Sequence, residues 1–300
     1  MDFIKNLSII FTSIFFESLP FLILGAFISA IIEIFISKET IAKMIPKNKV
    51  LGSIVGVVLG FFIPACDCAV IPISKRLIQK KVPLNVVISF MLASPIINPV
   101  VLLSTYYAFY RTNPELFYLR IVFGVLISLV IGIIMAFIFK NEKVITSEKA
   151  ECDCHDHEHC CHEEHSENKF VSIIHYTAQD SFDVIKFLML GAFIASLVQV
   201  LLPRGVLATF NNNLVLSIIV LMLFAYLISL CSTSDSFVGK SLLSTFNETS
   251  ILAYLLLGPM IDIKNTFVLL GNYKKSFVAI LITLIFSIVL VFSVLAVMFL

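Results

Sequence analysis

Long apolar segments recur along this 300-residue chain. A helix of about 20 apolar residues crosses a hydrocarbon layer of about 30 Å, and segments of about that length lie at residues 18–36, 117–139, 184–202 and 277–300. Only 14% of the residues are charged, whereas a soluble domain carries about a quarter. The segments lack the alternation of a transmembrane β-strand. The sequence therefore predicts an all-α polytopic membrane protein, and the first span is expected to be retained.

Four further apolar segments are interrupted by residues that disfavour a continuous helix. A broken helix in lipid leaves backbone groups that protein, water or a substrate must satisfy. Breaks of this kind are typical of binding sites near the middle of transporters. The interrupted segments are 50–74 with Pro64 and Pro72, 84–110 with Pro95 and Pro99, 214–238 with the polar run 231–235, and 250–270 with Gly258, Pro259 and Asp262.

The second half of the chain repeats the first. The sequence Leu-Gly-Ala-Phe-Ile at 24–28 recurs at 190–194, and Cys66 corresponds to Cys231 in the same comparison. Each half then has four segments in the order simple, broken, broken, simple. We predict two homologous membrane repeats, residues 1–140 and 173–300, joined by a polar linker at residues 141–172.

The positive charges bear on how the two repeats are oriented. Lys and Arg divide evenly between the two sides if all eight segments cross, which is contrary to the usual cytoplasmic excess. The excess is restored if 50–74 and 214–238 enter and leave on one side, with the flanks 38–49, 75–81, 140–169 and 264–275 in the cytoplasm. The positive charges left outside are then Lys5, Arg111, Arg120, Arg204 and Lys240. Each half then crosses an odd number of times, which gives the inverted repeats typical of secondary transporters. We favour this re-entrant arrangement over full crossing, in the plasma (inner) membrane and with a cytoplasmic linker.

The polar and thiol residues at the breaks are the candidate substrate-binding residues. Thiols of Cys66 and Cys68, one residue apart, can both reach a thiophilic ion, and an acid within the membrane, such as Asp67, is functional by default. Thiols that only fill gaps in the packing are the competing interpretation. Equivalent breaks of two repeats lie near their common axis, so Cys66, Cys68 and Cys231 are expected to share a pocket. The full candidate set is Cys66, Asp67, Cys68, Asn98, Cys231, Ser232, Thr233, Asp235 and Asp262.

A second group of metal-binding residue types lies in the linker. Nine thiol or imidazole groups occur within fourteen residues, and such donors suit Zn(II) or copper. No structural-zinc spacing is present, so the tract resembles a flexible chelator that captures, buffers or senses metal. The predicted metal ligands, which we call the Cys/His tract, are Cys152, Cys154, His155, His157, His159, Cys160, Cys161, His162 and His165.

No catalytic or nucleotide-binding motif is present. The sequence has no phosphate-binding loop and no hydrolase or zinc-protease signature, so we expect a protein that is not an enzyme, needs no cofactor and draws energy from an ion gradient. A net charge of +1 gives no reason to expect a nucleic-acid partner. The expected partners are the lipid bilayer and a metal or metalloid ion.

The motifs at 64–72, 94–99 and 231–237 resemble those of the permease family that includes the organoarsenical efflux permeases (ArsP type), over nearly the whole chain. The resemblance implies efflux of thiophilic metalloids or metals, with membrane cysteines in substrate binding. By match, that role falls on Cys66, Cys68 and Cys231. The Cys/His tract is more similar to the branch described as Cu/Zn efflux transporters.

Three classes of function follow from these observations. The leading prediction is export of a soft metal ion of the Cu/Zn class by ion-coupled secondary transport through the thiol and carboxylate site. Export of trivalent arsenicals through the same site is the alternative. A membrane thiol-redox protein, or a metal sensor, is the alternative of a different class.

Overall fold

The computed structural model describes residues 2–35, 46, 48–63, 65–139, 144–145, 169–201 and 213–298. These residues form α-helices, and the only β-type contact among them is an isolated bridge between Ile145 and Tyr273. The helices of the first half are α1 (Asp2–Phe35), α2 (Lys49–Phe62), α3 (Asp67–Gln79), α4 (Leu84–Ile97), α5 (Pro99–Phe109) and α6 (Pro114–Ile138). Those of the second half are α7 (Lys169–Leu201), α8 (Leu214–Ile228), α9 (Ser232–Leu242), α10 (Glu248–Met260), α11 (Ile263–Asn272) and α12 (Lys275–Ala296).

The prediction of an all-α polytopic membrane protein is confirmed. Among the described residues, six helical stretches are long and apolar enough to cross a membrane: α1, α4 with α5, α6, α7, α10 with α11, and α12. The helices α2 and α8 are apolar but shorter, with 14 and 15 residues. A helix of 15 residues is about 22 Å long, which is less than the hydrocarbon thickness.

A helical break lies inside each of the four segments that the sequence marked as interrupted. The breaks lie between α2 and α3, at residue 98, at residues 229–231 and at residues 261–262, and Pro64 of the first break lies outside the described residues. In the third of these segments the polar run does not interrupt a helix but begins one, because Ser232 to Asp235 form the first turn of α9.

Several boundaries differ from the prediction. Pro72, Pro95 and Pro259 lie inside α3, α4 and α10, since loss of one backbone donor can be absorbed within a packed helix. The simple helices α1 and α7 begin well before the predicted residues 18 and 184. Residues 3–17 of α1 are themselves largely apolar and belong to the same candidate span, Phe3–Phe35. In α7, helical hydrogen bonding continues through the mixed polar and apolar turns 169–183, which precede the predicted start.

One end of the bundle carries both flanks of the linker, and we call it the linker end. Lys80 Nζ donates to the backbone oxygen of Glu33 at 2.6 Å, which brings the end of α3 to the end of α1. Asn85 Nδ2 donates to the oxygen of Lys49 at 2.7 Å, which brings the starts of α4 and α2 together. The Lys274 amide donates to the oxygen of Val144 at 2.9 Å, so the start of α12 lies beside the residues that follow α6.

The start of α2 and the end of α3 therefore lie at the same end of the bundle, as in a re-entrant hairpin. At the opposite end, Asn113 before α6 hydrogen-bonds Glu248 at the start of α10, and Ser250 of α10 bonds Ser217 of α8 at 3.0 Å. The contacts of α8 and α9 thus mirror those of α2 and α3 from the other end. We call α2 with α3, and α8 with α9, the two re-entrant hairpins, because each starts and ends at one end of the bundle. The inverted-repeat layout and the assignment of the linker end to the cytoplasm stay predictions.

The two halves meet along the long helices α1 and α7. These helices run antiparallel, since the rings of Phe11 and Phe193 are 6.2 Å apart while Ser29 Oγ bonds Asp180 at 3.0 Å. Asp180 also accepts two hydrogen bonds from Arg76 of α3, at 2.7 and 3.1 Å. An ion pair thus links the first re-entrant hairpin to the second half near the linker end.

Two charges that the sequence analysis assigned to membrane flanks are buried in the bundle instead. Lys264 is 4% exposed and Arg120 is fully buried. The charge count treated both as solvated because they lie close to segment ends in the sequence. Lys264 belongs to the first turn of α11, which begins inside the membrane segment rather than at its edge.

Topology can be tested with single cysteines placed at exposed positions in a variant whose other cysteines are replaced. We expect Lys49→Cys and Lys81→Cys to react with a membrane-impermeant maleimide from the same side of sealed vesicles. Arg111→Cys should react only from the other side. Labelling of the Lys49 and Lys81 positions from opposite sides would contradict the re-entrant hairpin.

The close packing of α2 on α4 gives a stability prediction. A Cβ atom at Gly56 would lie 2.2 Å from the backbone oxygen of Val86, and backbone cannot move away as a side chain can. Gly56→Ala should therefore lower the free energy of unfolding by about 1–3 kcal/mol. The measurement is reversible unfolding in detergent, with Val58→Ala as the matched control because Val58 is 48% exposed on the same helix. Equal stability of the two variants would show that α2 is not packed against α4 in this way.

Candidate functional site at the tips of the re-entrant hairpins

The tips of the two re-entrant hairpins meet in the interior of the bundle. Cys66 is the residue that precedes α3, and Cys231 is the residue that precedes α9. Ser232 Oγ, in the first turn of α9, donates a 2.7 Å hydrogen bond to Oδ1 of Asp67, in the first turn of α3. Both residues are buried. In the comparison of the two halves Asp67 and Ser232 are equivalent positions, so the hairpins contact each other through corresponding residues.

All three membrane cysteines line one small pocket at this contact, which we call the thiol pocket. The pocket is partly open, with about 230 Å³ of space not filled by atoms, open solvent included. None of the three cysteines forms a disulfide. The lining residues are Glu17, Ser18, Phe21, Cys66, Asp67, Cys68, Cys231 and Lys264.

A second pocket lies on the other side of Asp67, and we call it the proline pocket. It encloses about 300 Å³ and is lined mainly by apolar residues, among them Pro95 and Pro259. Its lining residues Ile71 and Leu269 lie further along α3 and α11, towards the linker end. Glu17 and Ser18 of the thiol pocket precede Gly25, the α1 residue that contacts Ala69 of α3. Asp67 therefore separates a pocket nearer the linker end from one nearer the opposite end.

The electrostatics of the thiol pocket combine both signs of charge. The N-termini of α3 and α9 point into it and carry partial positive charge from the helix dipole. Lys264 Nζ lies 4.0 Å from Oδ2 of Asp67 and 3.8 Å from Oδ2 of Asp262. The pocket can therefore hold a thiophilic species while its carboxylates are balanced by a protein cation.

The remaining candidate residues lie at different distances from the thiol pocket. The Thr233 hydroxyl contacts the Cys231 thiol at 3.4 Å. Asp262 caps α11, since its Oδ1 accepts from the Asn265 amide at 2.6 Å. Asn98 caps α5 in the equivalent way, through the Val100 amide at 3.0 Å, and is not among the residues that line either pocket.

Asp235 takes part in a separate polar cluster. Its Oδ1 accepts a 3.0 Å hydrogen bond from the Tyr254 hydroxyl, and it lines neither pocket. Nearby, Arg120 of α6 donates to Thr105 Oγ1 at 2.7 Å and to Ser236 Oγ at 2.8 Å. These contacts join α5 and α6 of the first half to α9 of the second, so this cluster holds the two halves together.

The sequence analysis missed Lys264 as a member of the site and did not include Glu17 in the candidate set. Lys264 could have been predicted from its place between two apolar stretches, because an ionisable residue inside the membrane is a functional-site candidate. This position was overlooked because the segment was treated as apolar up to residue 270, with Lys264 counted among the flanking charges.

Some of the predicted metal-binding residues lie outside the described residues, and others do not form a ready-made ion site. The whole Cys/His tract, Cys152 to His165, lies outside them. Across the ranges that the structure describes, no three His, Cys, Asp or Glu side chains are arranged to hold a metal ion together. The thiols of Cys66, Cys68 and Cys231 share a pocket without forming a pre-assembled metal centre.

Six membrane-spanning stretches around two re-entrant hairpins, with a polar pocket at the hairpin tips, define a polytopic membrane transport protein. The sequence pattern of a family described as "Predicted permease" (ArsP_1) matches residues 4–298. The chain belongs to this permease family.

Two relatives are similar over most of their length. The protein YcgR of Bacillus subtilis, a UPF0718 protein, is 40% identical over 290 residues, which are 97% of this chain and 96% of that protein. A Streptococcus mutans protein is 35% identical over 269 residues, which are 90% of this chain and 87% of its own length. That relative is provisionally named a subunit of a two-component membrane permease complex. No solved structure matches the chain.

The contact between the hairpin tips can be tested by removing one hydroxyl. Ser232→Ala leaves Oδ1 of the buried Asp67 without this donor, and we expect the free energy of unfolding to fall by about 1–3 kcal/mol. The matched control is Ser241→Ala, which removes an exposed hydroxyl that bonds only within α9. Thermal unfolding of the purified protein in detergent measures both. A loss no larger for Ser232→Ala than for Ser241→Ala would contradict the buried contact.

Proposed function

We propose that this permease exports a thiophilic species that binds to Cys66, Cys68 and Cys231 in the thiol pocket. The observation that carries the proposal is the convergence of these three thiols, from two hairpins and both halves of the chain, on one buried pocket. Thiols that only filled packing gaps would have no reason to gather around a cavity with charged walls.

The proposed cargo is a soft metal ion of the Cu/Zn class. Three thiolates suit Cu(I) or Zn(II) in trigonal or tetrahedral coordination, and the Cys/His tract is a suitable donor set to capture such an ion at the linker end. The ion would pass the proline pocket, reach the thiols beyond Asp67, and leave at the opposite end. No metal centre is pre-assembled among the described residues, so binding of the ion would draw the hairpin tips together. This movement would couple the occupancy of the thiol pocket to the reorientation of the two halves.

We propose that transport is coupled to protons. A thiol must lose its proton before it binds a metal, so loading of the pocket releases protons and unloading takes them up. Asp67 and Asp262 both lie within 4.0 Å of the Lys264 ammonium group at the pocket. We propose that these two carboxylates take part in the proton exchange.

Export of trivalent arsenicals is a second candidate, and one specific observation favours it. The pocket already contains the ammonium group of Lys264, within 4.0 Å of Asp67, and a fixed positive charge opposes the entry of another cation. A neutral arsenical that forms As–S bonds to the thiols meets no such repulsion.

The test is uptake of Cu(I), Zn(II) and trivalent arsenic species into everted membrane vesicles. The variant with Cys66, Cys68 and Cys231 changed to Ser should lose uptake of the transported species, by about tenfold or more in maximal rate, because its thiolate ligands are gone. The matched control changes three tract cysteines, Cys152, Cys160 and Cys161, to Ser. This control should keep the maximal rate and require a higher concentration for half-maximal uptake.

Each outcome identifies a different function. Uptake of a single species that depends on the membrane thiols establishes export and names the cargo. Uptake that is unchanged in the membrane-thiol variant would contradict the proposed site. Absence of thiol-dependent uptake of any species, together with a reversible disulfide between Cys66 and Cys68, would favour the redox alternative.

A further inference from the structure

The ammonium group of Lys264 occupies the position where a cation would bind in the thiol pocket. It faces Oδ2 of Asp262 at 3.8 Å and Oδ2 of Asp67 at 4.0 Å, and the residue is only 4% exposed. A buried charge is costly unless it is paired. The two carboxylates and the lysine therefore compensate one another in the structure as it stands.

Lys264 is attracted to both carboxylates without a hydrogen bond to either of these oxygen atoms. Charge-assisted N–H···O bonds are about 2.7–2.9 Å long, which is well below both separations. Asp67 and Asp262 use their Oδ1 atoms to accept from Ser232 and from the Asn265 amide. Oδ2 of Asp262 has no hydrogen-bond partner among the described residues. Oδ2 of Asp262 thus faces the ammonium group without accepting a hydrogen bond from the described residues, and Oδ2 of Asp67 faces the same ammonium group.

The backbone of Lys264 is held in place, so that only its side chain is free to leave. A Cβ atom on Gly191 of α7 would lie 2.8 Å from the Lys264 oxygen, which shows how closely α7 packs there. The Lys264 amide donates to Ser229 Oγ at 3.4 Å. The four-carbon stem of a lysine allows the ammonium group to swing aside without movement of this backbone.

We infer that Lys264 is the resident cation of the thiol pocket and that a cationic cargo must displace its ammonium group from Asp67 and Asp262. The inference rests on the proposed function for the identity of the cargo pocket. Cargo binding then replaces one cation by another, and Lys264 stays protonated throughout. Lys264 is therefore a specificity-determining residue, since it lowers the affinity for cationic thiophiles and leaves the affinity for neutral ones unaffected.

The first experiment measures the binding of Zn(II) to purified full-length protein in which the nine Cys/His tract donors are replaced by Ala, so that only the pocket binds. In this background Lys264→Met should bind Zn(II) about tenfold or more tightly than the parent, because the competing charge is gone. Lys264→Arg keeps the charge and should resemble the parent. The matched control is Lys75→Met, because Lys75 also joins α3 to α11, through Asn272 at 3.1 Å, but lies outside the pocket.

The second experiment replaces the missing cation chemically and needs no metal. Lys264→Ala leaves two buried carboxylates without their cation and should lower the temperature of unfolding in detergent. Methylammonium, which can fill the space of the lost side-chain end, should raise that temperature for Lys264→Ala by several degrees more than for the parent. Tetramethylammonium at the same concentration is too bulky and should not. Lys75→Ala should show no specific response to methylammonium.

Two results would overturn the inference. One is a Zn(II) affinity of Lys264→Met within twofold of the parent, with measurable binding in both. The other is equal stabilisation of Lys264→Ala and the parent by methylammonium. If Zn(II) binds to neither protein, the metal form of the proposed function fails, and the methylammonium experiment alone decides the role of Lys264. Tight Zn(II) binding that appears only in Lys264→Met supports the inference and points to a neutral cargo for the native pocket.

Discussion

The hydrogen bond from Ser232 to Asp67 joins the two hairpins directly after their helix breaks. Broken helices are poorly tolerated inside a bilayer. Each re-entrant hairpin ends in backbone that has left its helix, and such backbone is stable in hydrocarbon only when it is enclosed by protein. By meeting tip to tip, the two hairpins shield each other, and six spanning stretches surround them. The thiol pocket is a product of this arrangement, because Cys66 and Cys231 are the residues that precede the two helices at the hairpin tips.

The distribution of charge follows from the same constraint. Asp67 and Asp262 stand beside helix starts, where the dipole favours a negative group, and Lys264 neutralises them from within the same pocket. Arg120 and Asp235 belong to a second polar cluster that connects the halves outside the pocket. These charged residues, each of which would be costly alone in lipid, therefore lie where the two halves of the chain meet.

Much of this architecture could be predicted from residue patterns, and the exceptions have physical causes. The interrupted segments and the shared pocket of three cysteines followed from proline, polar runs and internal repetition. Pro99 stands directly at a break, as the first residue of α5, whereas Pro95 and Pro259 are absorbed in helices that end a few residues later. Lys264 and Arg120 were misplaced because a charge near the end of an apolar segment has the same sequence signature whether it is solvated or buried. Only the packing of α6 and α11 against the other helices distinguishes the two cases.

The contact between Ile145 and Tyr273 bears on how a captured ion would reach the pocket. It fixes the chain just before the Cys/His tract to the linker end of the bundle, and α7 begins again at that end just after the tract. Under the proposed function, an ion bound by the tract meets the entrance of the permease as an intramolecular ligand. Delivery to the pocket would then be a transfer within one molecule, so loading of the pocket would follow how much of the tract is occupied rather than how often a free ion meets the bundle.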